Sequence, residues 1–302
     1  MASLTARVRD RRTLRRNLIA LAFLAPAIAL IGVFTITPFV QAITLSFQSW
    51  DGISPDTPWV GLQNYRFVFG DDEFWGSMKN VAVFGAVGFV VGNSVSLGLA
   101  VAVNRIRRGR TFFRTVFYLP GVLSVVVVGV IFSFMFEARS GVLNRLLEAV
   151  GLGSLQQNWL GDPAFALPAV AVVFIWLHWG FGFLLFLAGL QDIPQELYEA
   201  ADLDGARAWA KFRYITWPQL APVTTIVSLL TLLAALQIFG TVQVLTNGGP
   251  GSHTLVPTLL IYDEAFTNNR YGSAAAMSVL FGGALVVLSF IQLTIARRRA
   301  DK

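Results

Sequence analysis

Two histidines and no cysteine leave this 302-residue chain few groups for acid–base, thiol or metal chemistry. His178 stands in Trp176-Leu177-His178-Trp179-Gly180, inside a long apolar run, with no second ligand nearby to hold a metal. Gln237 lies midway along another apolar run, with Thr231 and Thr241 one to two helical turns away. Such groups are costly to leave unpaired in hydrocarbon, which makes them candidates for a solute pathway. Amides and hydroxyls beside aromatic faces, here Trp176 and Phe181, suit uncharged polyols. For His178 an internal structural hydrogen bond is the alternative. The chemistry on offer is hydrogen-bonded recognition, and no catalytic residue or metal site is assigned.

The elements that must position these groups are membrane helices. The chain is 55% hydrophobic and 13% charged, with a mean hydropathy of +0.63; soluble domains carry nearer a quarter charged residues. Six stretches lack Asp, Glu, Lys and Arg: 17–50, 80–104, 115–136, 163–191, 214–262 and 271–296. Each holds one helix of about 20 residues, the length that crosses roughly 30 Å of hydrocarbon. The longest stretch contains Thr246-Asn247-Gly248-Gly249-Pro250-Gly251-Ser252-His253, an extramembrane turn, so six spans are preferred to seven. Alternate segments carry 18 basic residues on one side and five on the other, which places both termini in the cytoplasm. The organisation is a cytoplasmic tail over 1–16, a membrane domain over 17–296 and a second tail over 297–302. The basic cluster Arg105, Arg107, Arg108, Arg110 and Arg114 joins two spans directly. It reads as a loop facing lipid headgroups, with no nucleic-acid partner.

Within this frame the first helix occupies roughly 18–40 and is retained, with bends or ends expected at Pro26 and Pro38. A short helix along the membrane is expected from Tyr65, Val68, Phe69 and Phe74. Gly85, Gly88, Gly92, Ser94, Ser96 and Gly98 make the second span suited to close packing, and Asn93 is its one further candidate polar group. Spans three to six are placed at about 115–136, 165–189, 223–245 and 273–296.

One polar segment interrupts the pattern: the cytoplasmic loop 190–222, with Glu199-Ala200-Ala201-Asp202-Leu203-Asp204-Gly205 running on to Ile215-Thr216-Trp217-Pro218. Pro194 can open a helix there, and Glu196 suits its first turn. Leu197, Ala200, Ala201 and Asp204 form a small-sided face that a partner groove could approach. Gly205 permits a turn into a second short helix, which Phe212, Ile215 and Leu220 can pin against the bundle. An ordinary amphipathic connector is the alternative. No GxxxxGK[ST] loop is present to bind ATP phosphates.

The chain resembles the inner-membrane permease subunits of bacterial ABC importers for carbohydrates, the maltose and glycerol-3-phosphate type. Their cytoplasmic signature is Glu-Ala-Ala, three residues, Gly, nine residues, Ile, any residue, Leu, Pro. Glu199-Ala200-Ala201, Gly205, Ile215 and Pro218 match it with intervals intact, and Trp217 replaces the leucine. Gly61-Leu62-Gln63-Asn64-Tyr65, Phe113-Arg114 with Leu119-Pro120, Ala188 to Pro194, and Gly248-Gly249-Pro250 with Thr254 extend the likeness. The resemblance implies an all-α, six-helix type I ABC importer permease in the bacterial inner membrane. It implies a coupling helix around Glu199–Gly205 that takes up the motion of an ATPase subunit. It further implies a second homologous permease, two ATPase subunits carrying ATP and Mg2+, and an extracytoplasmic solute-binding protein. No cofactor is implied for this chain itself. An ion-coupled secondary transporter of a small polar solute is the rival reading, but no charged residue falls in the expected span cores and no repeat is evident.

Overall fold

A computed structural model describes residues 19–106 and 108–300. The tail assigned to 1–16, Arg107 and the end of the tail assigned to 297–302 lie outside the described residues. Regular structure among the described residues is helical, apart from one antiparallel bridge between Gln48 and Trp59. Four helices are long and apolar enough to cross a membrane: α1 (Ile19–Leu45), α3 (Asp72–Asn104), α7 (Pro163–Asp192) and α13 (Tyr271–Ala300), the last through Gln292. Two bent pairs raise the number to six if each pair is one crossing. This is an all-α polytopic membrane protein, and it divides into two compact units.

The first unit comprises Met1–Val68 and Glu264–Val279. Helix α1 neither ends nor breaks at its prolines and runs on to Leu45, five residues past the expected boundary. Pro38 has no N–H to give, and the ladder widens into a π-turn over Gly32–Ile36 just before it. The Thr37 hydroxyl and backbone N–H both donate to the Gly32 carbonyl, the hydroxyl at 2.9 Å. Helix α2 (Gln63–Phe69) holds Tyr65, Val68 and Phe69, whereas Phe74 lies outside it in the first turn of α3. The chain breaks at Gly70, so the expected four-residue face is split between two helices. Asn64 anchors α2 by donating to the carbonyls of Ser46 and Gln48, each at 2.9 Å. Glu264 is buried and accepts from Ser273 Oγ at 2.6 Å and Asn268 Nδ2 at 2.9 Å, with Arg270 3.7 Å away.

The second unit comprises Phe69–Asp263 and Leu280–Lys302 and is organised around α7. Asp162 caps α7 by accepting from the Ala164 N–H at 2.8 Å, and Pro163 fills the first helical position. Phe174, Phe183, Phe186 and Leu187 are buried along it. Helix α3 packs against α7, and Ser96 Oγ lies 2.9 Å from both the Gly92 and Trp179 carbonyls. Asn93 is a cross-brace: its Oδ1 accepts from Thr231 at 2.8 Å and its Nδ2 donates to Ser228 at 3.3 Å. Gly180 is required by proximity, since a Cβ there would meet the Phe117 carbonyl oxygen at 2.8 Å.

Two expected continuous spans are broken. The third, placed at 115–136, consists of α4 (Arg110–Tyr118) with a tight turn over Leu119–Val122, and then α5 (Val125–Met135) at 94° to it. Pro120-Gly121 ends the helical ladder there, and apolar composition alone gave no sign of it. The fifth, placed at 223–245, consists of α10 (Ala221–Leu236) and α11 (Gly240–Leu245), separated by Gln237, Ile238 and Phe239. The helix preceding α10, Ala208–Gln219, meets it at 68°.

Two predictions follow from these contacts. Gly180→Val forces α7 off the Phe117 backbone and costs about 1–3 kcal/mol, read as a lower Tm in detergent. Gly98→Ala is the control, with nothing within 4 Å of the added carbon. Asp51 accepts the Ser54 hydroxyl and the N–H groups of Ser54 and Ile53, which hold its carboxyl at about 2 rather than 3.8. A depressed pKa stabilises this turn above the unfolded value and the effect fades as pH falls from 3.8 towards 2. Carboxyl NMR should find that midpoint, and Ser54→Ala should raise it.

Candidate functional site

The two breaks define the first site. Helix α4 ends in the turn over Leu119–Val122, Leu123 and Ser124 are extended, and α5 starts again at Val125. Gln237 closes α10 with non-helical dihedrals, and α11 restarts after Phe239. Between these breaks and the middle of α7 lies a cleft of about 360 Å³, lined in part by Tyr118, His178, Phe181, Gln237, Phe239 and Thr241. His178 Nδ1 lies 2.8 Å from the Phe174 carbonyl oxygen. A carbonyl only accepts, so Nδ1 bears the proton. The two readings of His178 thus meet in one residue: it makes a structural hydrogen bond and lines the cleft. The Gln237 amide makes no hydrogen bond among the described residues and is exposed, while Thr241 is buried in the wall.

The cleft gathers four of the six residues expected along a pathway. Trp176 is outside its lining and packs edge-on to Phe132, ring centres 5.3 Å apart. Thr231 is also outside, its hydroxyl being committed to Asn93. Sequence reasoning missed Tyr118 and Phe239, which reach the cleft only because the helices break beside them. The Pro120-Gly121 pair was the available signal. Among the described residues no cluster of three His, Cys, Asp or Glu could hold a metal ion.

The second site is the polar loop after α7. Pro194 precedes α8 (Gln195–Leu203), with Glu196 in its first turn and Asp204 as its C-terminal cap residue. Gly205 adopts φ +73°, a left-handed conformation that costs a side-chain-bearing residue about 1–2 kcal/mol. Its N–H donates to the Asp202 carbonyl at 3.1 Å, and the Ala206 N–H reaches back to the Ala201 carbonyl at 2.8 Å. This pair of bonds is a Schellman cap. The glycine four positions after Ala201 is therefore what lets the helix stop and the chain reverse.

Helix α9 (Ala208–Gln219) follows, with a π-turn over Phe212–Thr216 before Pro218. The Tyr198 and Thr216 hydroxyls meet at 2.9 Å, and Lys211 pairs with Asp202, so α8 and α9 are braced at two points. Tyr198 and Ile215 pack against a core containing Ile193, Leu220 and Phe183. Phe212 instead stacks on Trp209 at 5.7 Å and approaches Trp217 at 6.4 Å. The opposite side of the loop is exposed: Glu199, Ala200, Asp204, Gly205 and Pro218 are open, Ala201 half-buried, and Leu203 91% exposed. Leu203 was not anticipated. Glu199 accepts from Gln195 Nε2 at 2.8 Å. Arg114 donates to Gln191 Oε1 at 3.0 Å, and Arg110 donates to the Asn104 carbonyl and side chain, tying part of the basic cluster to the ends of α7 and α3.

Residues 94–301 match the family of binding-protein-dependent transport system inner membrane components. A probable ABC transporter permease protein from Pyrococcus horikoshii is 37% identical over 273 residues, covering 89% of this chain and 93% of its own. The permease protein of a diacetylchitobiose uptake system from Streptomyces coelicolor is 34% identical over 300 residues, covering 96% and 85%. Among solved structures, a chain of a bacterial ABC transporter involved in the import of the acidic polysaccharide alginate superposes with a TM-score of 0.82. It is 25% identical and covers 96% of this chain and 99% of its own length. The chain belongs to this inner-membrane component family. It is a permease subunit of an ABC importer, the component that performs transport. Family membership decides against the ion-coupled alternative.

The brace predicts separable effects. Tyr198→Phe removes one hydrogen bond worth about 1 kcal/mol, and Gly205→Ala adds about 1–2 kcal/mol of backbone strain. Both should quicken protease cleavage within the 195–219 loop, with membrane insertion unchanged.

Proposed function

We propose that this chain is one of two homologous permease subunits in a type I importer that moves a sugar, oligosaccharide or sugar-like polyol into the cytoplasm by alternating access. The relatives support the saccharide class: the Streptomyces coelicolor protein serves diacetylchitobiose uptake, and the alginate transporter imports a polysaccharide. Two ATPase subunits, binding ATP and Mg2+, and an extracytoplasmic binding protein complete the assembly. The membrane domain 17–296 makes six crossings, with the tails 1–16 and 297–302 in the cytoplasm. Support for that topology comes from the distribution of Lys and Arg, 18 against five on alternate sides.

In this reading α8 is the coupling helix of loop 190–222. Glu199, Ala200, Ala201, Asp204 and Gly205 enter a groove on an ATPase subunit, while Ile215 and Pro218 seat the following helix on the bundle. The observation that carries it is the exposed outer side of a segment whose inner side is braced and buried. An apolar side chain as open as Leu203, on a short capped helix, is the kind of group a partner covers. Closure of the ATPase dimer would push α8. The push would pass along α7 and α10 to the cleft holding His178, Phe181, Gln237 and Thr241, with Trp176 and Thr231 supporting its walls.

Charge reversal tests the coupling role. Glu199→Lys should lower ATPase co-purification or uptake at least tenfold while the chain remains inserted in the membrane. Normal ATPase binding together with normal uptake would overturn it. Uptake by the reconstituted complex from a panel of sugars and polyols tests the cargo class.

A further inference from the structure

Among the described residues, no Asp, Glu, Lys or Arg lines the cleft beside the two helix breaks. Its polar equipment consists of groups suited to hydroxyls: the unengaged Gln237 amide, the Tyr118 phenol, the Thr241 hydroxyl and the His178 ring. Phe181, 51% exposed, and Phe239 add apolar faces. From this we propose that the cleft is a charge filter, through which this chain passes uncharged saccharides and rejects those bearing a carboxylate or phosphate. The proposal rests on the sugar-importer reading and narrows it to the neutral class.

The physical case is one of desolvation. A hydroxyl entering the cleft exchanges hydrogen bonds with water for hydrogen bonds with Gln237 and His178, at little net cost. A carboxylate loses far more hydration, and neutral donors with no cation beside them repay only part of that loss. Helix α5 does begin at the cleft, and its N-terminal dipole favours an anion. That effect is weak at an exposed helix end, too little to reverse the balance. With Nδ1 held by the Phe174 carbonyl, His178 in its neutral form offers an acceptor, which repels a carboxylate oxygen. A volume of about 360 Å³ falls within the range of small-ligand sites.

The filter can be measured apart from the binding protein's own preference. Neutral disaccharides and their C6-oxidised uronic acid counterparts are titrated directly into the purified permease–ATPase complex without binding protein, and the same pairs are then offered for uptake by the full transporter. The proposal expects at least one neutral sugar to bind and be taken up, its acid to bind at least tenfold more weakly, and Gln237→Ala to weaken the neutral sugar at least fivefold. Gln237→Arg, which installs a cation, should narrow or invert the preference. Equal or tighter binding of the acids overturns the filter while leaving the sugar-importer reading standing. Neutral binding indifferent to both Gln237→Ala and His178→Ala overturns it too, by removing the cleft from the path. Transport of a non-saccharide alone, with no sugar bound or carried, overturns the filter and the sugar reading together.

Discussion

Every backbone N–H and C=O that enters hydrocarbon must find its partner within the protein, because no water is there to take its place. That constraint explains why the long spans are helical and why departures from the helix are so informative. Helix α1 absorbs Pro38 by widening its ladder rather than opening it, with the Thr37 hydroxyl returning to the Gly32 carbonyl. Two of the breaks among the described residues, Leu119–Ser124 and Gln237–Phe239, border the same cleft. Irregular backbone at membrane depth is tolerated where it lines a cavity. The cleft and the breaks are thus a single feature.

Helix α7 ties that feature to the polar loop. His178 stands near its middle, and Asp192 ends it 14 residues later, about 21 Å along the axis at 1.5 Å per residue. Nothing interrupts the helix over that length. At its far end Leu190 and Ile193 are buried in the same core that receives Tyr198, Ile215 and Leu220. The polar loop is consequently not an appendage of the membrane domain. Its inner face is part of the core, and its outer face is bare.

Much of this was readable beforehand. The charge-free stretches marked the long helices, because apolar composition and helix length are both set by the bilayer. The spacing from Glu199 to Gly205 marked a short helix and its end, since a left-handed residue is needed where the chain reverses. The breaks were not readable from hydropathy, as Leu, Val and Ile are equally apolar in a helix and in an extended turn. For the same reason Gln237 looked like a mid-helix amide, although it terminates α10. Thr231 was assigned by helical distance from Gln237 and Trp176 for its aromatic face, but their partners, Asn93 and Phe132, lie on other elements. Sequence spacing reports neighbours along one helix and is silent about which face a neighbouring helix covers.

The Schellman cap at Gly205 and the Tyr198–Thr216 contact hold the polar loop in shape with groups that point inward or belong to the backbone. Leu203, Trp209 and Tyr214, by contrast, are 91%, 73% and 76% exposed and take no part in that brace. Scaffold and exposed surface are therefore written in different residues. On the proposed coupling role, a change of ATPase partner would mean rewriting that surface alone, with the inner brace left untouched.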